Sequence, residues 1–296
     1  LVNTKKIIDW PAASPAAIKW QKHLVASLVE LGIDVEWIYY NPDSCWPKGR
    51  IFPTDNSVFL DINYKCTKLN YLNVFGLRNI TKKFFLKKIL LKIRKYNKSY
   101  PTILISYNAP NWTNDVYLDK KISKDFFRIY LLADDKVPKT GDGYIFLSYH
   151  NYKKYKPSNK LLLDGAIYPN DKKTNLKKKR NTKFVFFYSG SMHKWGGVNL
   201  LLETMKLIKQ VNFELWISGP GNPKFVKEAI RNDNRIKFLG LLNDNELKYA
   251  YKQSSVFLNP RPIKVPMGEF NFPSKLFDYF AWRKPIISTW TKGLSP

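Results

Sequence analysis

Within residues 270–289, FNFPSKLFDYFAWRKPIIST, a proline, a lysine and an aspartate fall within six residues and lead into an apolar run. Pro273 suits the first position of a helix, where a missing N–H costs nothing. Ser274 and Lys275 then occupy the first turn, whose free N–H groups and positive dipole end receive anions. Asp278, four residues after Ser274 and three after Lys275, shares their helical face. This pattern reads as a phosphate site with a carboxylate one turn away, able to accept two hydroxyl protons such as those of a ribose. Hydrogen bonds to a charged acceptor contribute on the order of 1.5–3 kcal/mol each. Leu276, Phe277, Phe280 and Ala281 form the stripe expected to face inward. The bland alternative is an exposed Lys275–Asp278 pair on a surface helix, which contributes little.

Three loops carry the remaining candidates. YSGSMHKWGGV (188–198) and SGPGNP (218–223) place glycines where backbone can approach a ligand closely, and LNPRPIKVPMGEFNFPSK (258–275) carries charge. Ser189, Gly190, Ser191, Gly219 and Gly221 are therefore candidate diphosphate contacts. Lys194 and Arg261 are the neighbouring cations and Glu269 the neighbouring acid. Turn glycines and ordinary surface charge are the competing readings.

These loops need strands to position them. From about residue 184 the chain alternates: strand 184–190, helix 198–209, strand 213–219, helix 223–231, strand 236–240, helix 245–253, strand 256–260, and then the quoted helix and strand. Short apolar runs between turn residues are the mark of strands buried on both faces of a parallel sheet. The first half reads likewise. A short opening strand, a helix with Ile18, Leu24, Leu28 and Leu31 on one side stopped by Gly32, and the strand DVEWIYY form a βαβ unit. Further strands are expected from Ser57, Pro101, Phe127 and Gly143. A lysine-rich polar stretch, 170–183, reads as a linker or exposed loop. The fold class is thus α/β: two doubly wound, Rossmann-like domains, 1–170 and 171–296, facing across a cleft. Open parallel sheets bind ligands beyond the carboxyl ends of their strands.

Composition sets the outer limits. A chain of 296 residues, 44% hydrophobic and 16% aromatic, can fill two cores and is not generally disordered. Fifty Lys and Arg against 23 Asp and Glu give a formal charge of +27, which calls for polyanionic company: nucleic acid, an anionic bilayer or phosphorylated small molecules. Two cysteines, Cys45 and Cys66, cannot form a disulfide framework and point to a reducing cytoplasm. His23, His150 and His193 lack metal-ligand spacing. No run reaches the roughly 18 apolar residues of a membrane span, and the first residues do not read as a signal peptide. Leu1 in place of Met, and an ending directly after a strand, suggest a partial chain with an incomplete C-terminal domain.

FPSKLFDYFAWRKPII resembles the nucleotide-binding segment of retaining glycosyltransferases of the GT-B fold, the family marked by E-x7-E and often written PSKLxEYxAxGKPVI. FYSGSMHKWGGVNLLLETM is similar to the first strand, phosphate loop and helix of that family's donor domain. ELWISGPG resembles its second strand, and RIKFLGLLNDNELKYAYKQSSVFLNP the segment beside the base. The resemblance covers the second half, and weakly the first βαβ unit. Asp278 stands at the family's second glutamate. The first would fall on Phe270, one place after Glu269. Ser191 and Gly196 stand where Arg and Lys are usual, and SPAA replaces the acceptor-domain glycine pair. The resemblance implies metal-independent transfer of a sugar, with retention, from a nucleoside diphosphate sugar as substrate, with no cofactor. Lys194, Lys275 or Arg261 would stabilise the leaving diphosphate, and Glu269 would face the donor sugar. Pro273, Ser274 and Asp278 would hold the nucleotide with the glycine loops. A lipid-linked or glycan acceptor is implied by the family alone.

TKKFFLKKILLKIRKYNKSY (81–100) sets Phe85, Leu86, Ile89, Leu90 and Ile93 at helical spacing among Lys82, Lys83, Lys87, Lys88, Lys92, Arg94 and Lys95. This is the pattern of a helix lying on an anionic membrane, and it places the protein at the inner face of the plasma membrane. A packed amphipathic helix is the alternative. Two rival functions are an inactive GT-B-like partner subunit and a basic nucleic-acid-binding protein. The second is disfavoured because the lysines are spread throughout and no nucleic-acid module stands out.

Overall fold

The computed structural model describes residues 15–40, 43–53, 65–96, 101–108, 110–133, 137–138, 140–163, 183–193, 196–210, 212–263 and 272–294. The chain divides into two compact units: 1–145 with 157–161, and 146–156 with 162–296. The expected linker, apart from Lys183, the opening strand and the strand from Ser57 lie outside the described residues.

In the first unit, α1 (Pro15–Glu30) leads to β1 (Glu36–Tyr39), which pairs in parallel with β2 (Lys65–Lys68). Then follow α2 (Leu77–Tyr96), β3 (Thr102–Tyr107), α3 (Asn111–Tyr117), α4 (Lys120–Ser123), β4 (Phe126–Leu132) and β5 (Gly143–Phe146). β3 and β4 are parallel, and the sheet continues through β5 to β6 (Lys160–Leu162). Between them α5 (Tyr149–Lys154) belongs to the second unit, where Tyr149 N donates to Gly293 O at 3.2 Å. Two expectations need correction. α1 buries Trp20, Val25 and Ala26, while Leu31, past the helix end, is exposed. The strand expected over GYIFLSY, 143–149, stops at Phe146 because Ser148 caps α5, accepting from Asn151 N.

The second unit holds β7 (Phe184–Ser189), α6 (Val198–Leu207), β8 (Phe213–Ser218), α7 (Lys224–Asn232), β9 (Ile236–Gly240), α8 (Asp244–Gln253), β10 (Val256–Asn259), α9 (Lys275–Ala281) and β11 (Ile286–Ser288). All its pairings are parallel, in the order β11-β10-β7-β8-β9. Its core joins Tyr188, Leu215, Ile217, Val256 and Leu258 of the sheet to Val198, Leu202 and Met205 of α6 and Val226 of α7. Each large apolar side chain so buried contributes about 1.5–3 kcal/mol. Asn243 and Glu246 close a capping box at the start of α8. The Lys284 ammonium donates to the Tyr251 and Lys252 carbonyls, at 2.6 and 2.7 Å, and so closes the other end.

The strand order decides where a ligand can lie. The chain builds β7, β8 and β9 outward in one direction, then returns to lay β10 and β11 on the opposite flank of β7. The carboxyl ends of β7 and β10 therefore flank a topological switch point, where loops diverge and leave room for a ligand.

Candidate functional site

Ser189 ends β7 and Asn259 ends β10, so the loops beginning at Gly190 and Pro260 open from the switch point. Tyr279 of α9 fastens this place together. Its fully buried ring stacks on Phe257 at 4.6 Å, and its hydroxyl accepts from Ser189 N at 3.0 Å and lies 3.3 Å from Leu258 O. Burial raises the Tyr279 pKa well above its ordinary value, so the phenol stays a hydrogen-bond donor.

Tyr188, one residue before the end of β7, shapes the next loop. Its hydroxyl lies 2.9 Å from the Ser191 carbonyl and 3.0 Å from that of Gly196, and its one proton serves either. Burial lifts its pKa well above the usual phenol range, against a smaller lowering effect of the Arg261 charge. The Lys275 ammonium stands 4.0 Å from the centroid of the same ring, a cation–π contact. Burial first, and the Arg261 charge second, bring Lys275 down to about 7. Among the described residues no carboxylate pairs with it.

Gly190 leaves space for this arrangement: a Cβ there would stand 2.8 Å from both the Lys275 Nζ and the Tyr188 hydroxyl. Gly219, at φ +143°, packs so closely on the Gly190 carbonyl that a Cβ would meet its oxygen at 1.9 Å. The backbone holds the loops in register, Gly190 N donating to Ser218 O at 2.9 Å and Met192 N to Pro220 O at 2.8 Å. These two amides are engaged within the protein. A cavity of about 620 Å³ opens beside them, lined by Ser191, Met192, His193, Gly221, Lys224 and Phe225 among others.

Of the residues singled out from sequence, Ser189, Gly190, Gly219 and Lys275 gather at the switch point. Ser191 is exposed, its Oγ accepting from His193 N at 3.2 Å, and Gly221 lies against Met192. Arg261 is half-buried just past β10, where its carbonyl accepts from Thr289 Oγ1 at 2.6 Å. Asp278 is half-buried one turn into α9. Lys194 and Glu269 lie outside the described residues.

The helix itself departs from expectation. It starts at Lys275, two residues after Pro273. The buried Pro273 and the exposed Ser274 form a tight turn whose carbonyls accept from Leu276 N at 2.9 Å and Phe277 N at 3.2 Å. Ser274 makes no side-chain cap. The inward face is Leu276 and Tyr279, whereas Phe280 is exposed and Phe277 stacks on Phe272 at 4.8 Å. Seven residues sum few peptide dipoles, so the side-chain cation of Lys275 outweighs the helix end as the positive group.

Sequence reasoning missed Tyr188, Tyr279 and Asn259. Asn259 is buried at the end of β10, donating from Nδ2 to Ser288 Oγ at 2.8 Å, and its Oδ1 has no hydrogen-bond partner among the described residues. A tyrosine closing an otherwise phenylalanine-rich strand, FVFFYS, was the available signal for Tyr188: its polar tip must find a partner at the strand's end.

Comparison with known proteins bears on the fold. Residues 183–296 match the family model described as Glycosyl transferases group 1. A comparison with curated proteins gives no match. Among solved structures, sucrose-phosphate synthase from Thermosynechococcus elongatus aligns at TM-score 0.56 and 13% identity, covering 95% of this chain and 77% of that one. AviGT4, a glycosyltransferase involved in avilamycin A biosynthesis, aligns at 0.55 and 12%, covering 92% and 70%. The lipopolysaccharide outer core galactosyltransferase WaaB aligns at 0.54 and 15%, covering 79% and 67%. At these identities the likeness defines the fold: α/β, Rossmann-like, of the GT-B type.

Proposed function

We propose that this protein transfers a sugar from a nucleoside diphosphate sugar to a lipid-linked or polysaccharide acceptor, with retention of configuration and without a metal. The GT-B fold and the family-model match over residues 183–296 support a glycosyltransferase. The observation that carries the reading is the Lys275 ammonium held against Gly190 and Tyr188 at the switch point, with the Arg261 charge bearing on it. Two cations that disfavour each other in a half-buried place gain most from an anion bearing two phosphates.

The chemistry follows from where charge develops. As the bond from the sugar's anomeric carbon to the diphosphate oxygen breaks, negative charge accumulates on the leaving diphosphate. Cations already in place stabilise it more in the transition state than in the bound donor. Lys275 and Arg261 fill this role, with Lys194 as a third cation. Asp278 accepts hydrogen bonds from the ribose hydroxyls, and Glu269 faces the donor sugar. Ser189, Gly190, Ser191, Gly219, Gly221, Pro273 and Ser274 shape the walls around the nucleotide.

The test is turnover. The protein is incubated with a panel of nucleoside diphosphate sugars and candidate acceptors, and released nucleoside diphosphate is assayed while NMR reports the anomeric configuration of the product. One donor should give a product of unchanged configuration, and Asp278→Ala should weaken donor use. Inverted product would remove the retaining assignment. Donor binding with no turnover on any acceptor would favour the inactive-partner reading.

A further inference from the structure

The first unit gathers exposed apolar side chains at one corner. Residues 43–53 are laced to residues 71–76: Trp46 N donates to Asn73 O at 2.9 Å and Asn73 N to Ile51 O at 2.8 Å. The buried Asn73 side chain donates to the Ser44 and Arg50 carbonyls at 2.6 and 2.9 Å. Leu77 N then donates to Val74 O as α2 begins. On this braced corner Phe52 is 71% exposed, Phe75 89%, Ile80 61% and Phe84 64%, with Trp46 also exposed beside them. Gly76, next to Phe75, has nothing within 4 Å of where a Cβ would stand, so the turn projects outward.

Charge continues the same stripe. Ile80, Phe84 and Lys88 follow at four-residue spacing, one helical face, and Lys92 and Lys95 extend the exposed basic end. Residues 65–96 contain ten Lys and Arg and no Asp or Glu. The cations of α2 fall into two sets. Lys83, Lys87 and Arg94 pair with Asp115, Asp119 and Asp125 of the α3–α4 segment. Lys88, Lys92 and Lys95 make no ion pair among the described residues.

We propose that this corner docks on an anionic lipid bilayer, Phe52, Phe75, Ile80 and Phe84 entering the acyl boundary while Lys88, Lys92 and Lys95 meet the headgroup phosphates. Projecting apolar side chains continued by unpaired cations match the two layers of an anionic membrane surface, whereas a protein-binding groove would be concave. The contact differs from the stripe expected from sequence: Leu86 and Leu90 are buried inside the unit. It does not depend on the sugar-transfer reading.

Vesicle flotation of the whole chain tests it, with phosphatidylcholine alone and phosphatidylcholine mixed with phosphatidylglycerol. Wild type should float with the anionic vesicles and not with the neutral ones. Combined Phe75→Ser, Ile80→Ser and Phe84→Ser should lower that affinity roughly tenfold or more. Lys88→Gln, Lys92→Gln and Lys95→Gln should abolish the preference for anionic vesicles. Phe75→Ser alone, at the most exposed position, should show the same direction should the triple variant unfold. No binding, equal binding to neutral vesicles, or a serine variant that floats like wild type would overturn the proposal. So would full competition by heparin together with an unaffected serine variant, which would mark a site for soluble polyanions.

Discussion

Lys275 stands 4.0 Å from the centroid of the Tyr188 ring, and the hydroxyl of that ring bends the next loop by holding the Ser191 or Gly196 carbonyl. One tyrosine thus couples a cation to the loop that begins at Gly190. Tyr188→Phe keeps the ring and deletes the loop bond, so nucleoside diphosphate affinity should fall while the pH dependence contributed by Lys275 stays in place. The stability loss should be about 1 kcal/mol. Tyr188→Leu removes the cation–π contact as well and should move that pH dependence further toward acid. Calorimetric titrations across pH for both variants check this.

Lys275 has a folded pKa of about 7 against an ordinary value of 10.5. Between those values the unfolded chain holds a proton that the folded protein lacks, so stability rises with pH over that window and the gain is absent below it. Lys275→Met should flatten this part of the pH–stability curve and raise stability at neutral pH. Its diphosphate affinity should nevertheless fall roughly tenfold or more, the worth of a charge-assisted contact. Denaturant unfolding at a series of pH values, paired with binding, separates the two effects.

A second lysine gives the same slope with no share in the site. Lys82 is buried with its ammonium 4.0 and 4.2 Å from the Tyr40 and Tyr71 ring centroids and 5.4 Å from that of Trp112. Burial, then the Arg78 charge, bring it down to about 7. Lys82→Met should stabilise the first unit by on the order of 1–3 kcal/mol at neutral and acid pH and leave nucleotide binding unchanged. Thermal melts of the two proteins decide it.

The two glycines at the loop should respond differently. Gly219→Ala drives a Cβ into backbone at a positive φ and should destabilise the second unit by about 1–3 kcal/mol or more. Gly190→Ala meets the flexible end of Lys275 and the Tyr188 hydroxyl, so the fold should persist while affinity drops. Melting and nucleotide titration of each variant read the contrast.

Much of the second unit was legible because its strands are buried apolar runs cut by Gly, Pro and Asn. β9 spans residues 236–240, and β8 and β10 stop one residue before their expected ends. The order that brings β7 beside β10 was not legible, since pairing across about 70 residues leaves no local mark. Side-chain facing failed where elements are short or the burial unusual. Seven residues of α9 present only Leu276 and Tyr279 inward, so Phe280 turns out. Lys82 is buried in a helix whose lysines all look solvated in the sequence, because aromatic faces from distant segments enclose it. For the site, residue types pointed to Lys275 and the glycine loops. The tyrosines that position them act through contacts that only the folded chain creates.

The most direct test of the central claim is the affinity of nucleoside diphosphates for the wild-type chain and for Lys275→Ala, measured by calorimetry near pH 6.5, where Lys275 is largely protonated. One nucleoside diphosphate should bind the wild type and bind Lys275→Ala at least roughly tenfold more weakly, with the corresponding nucleoside binding both alike. Equal affinity of the diphosphate for the two proteins would contradict a diphosphate site at Lys275.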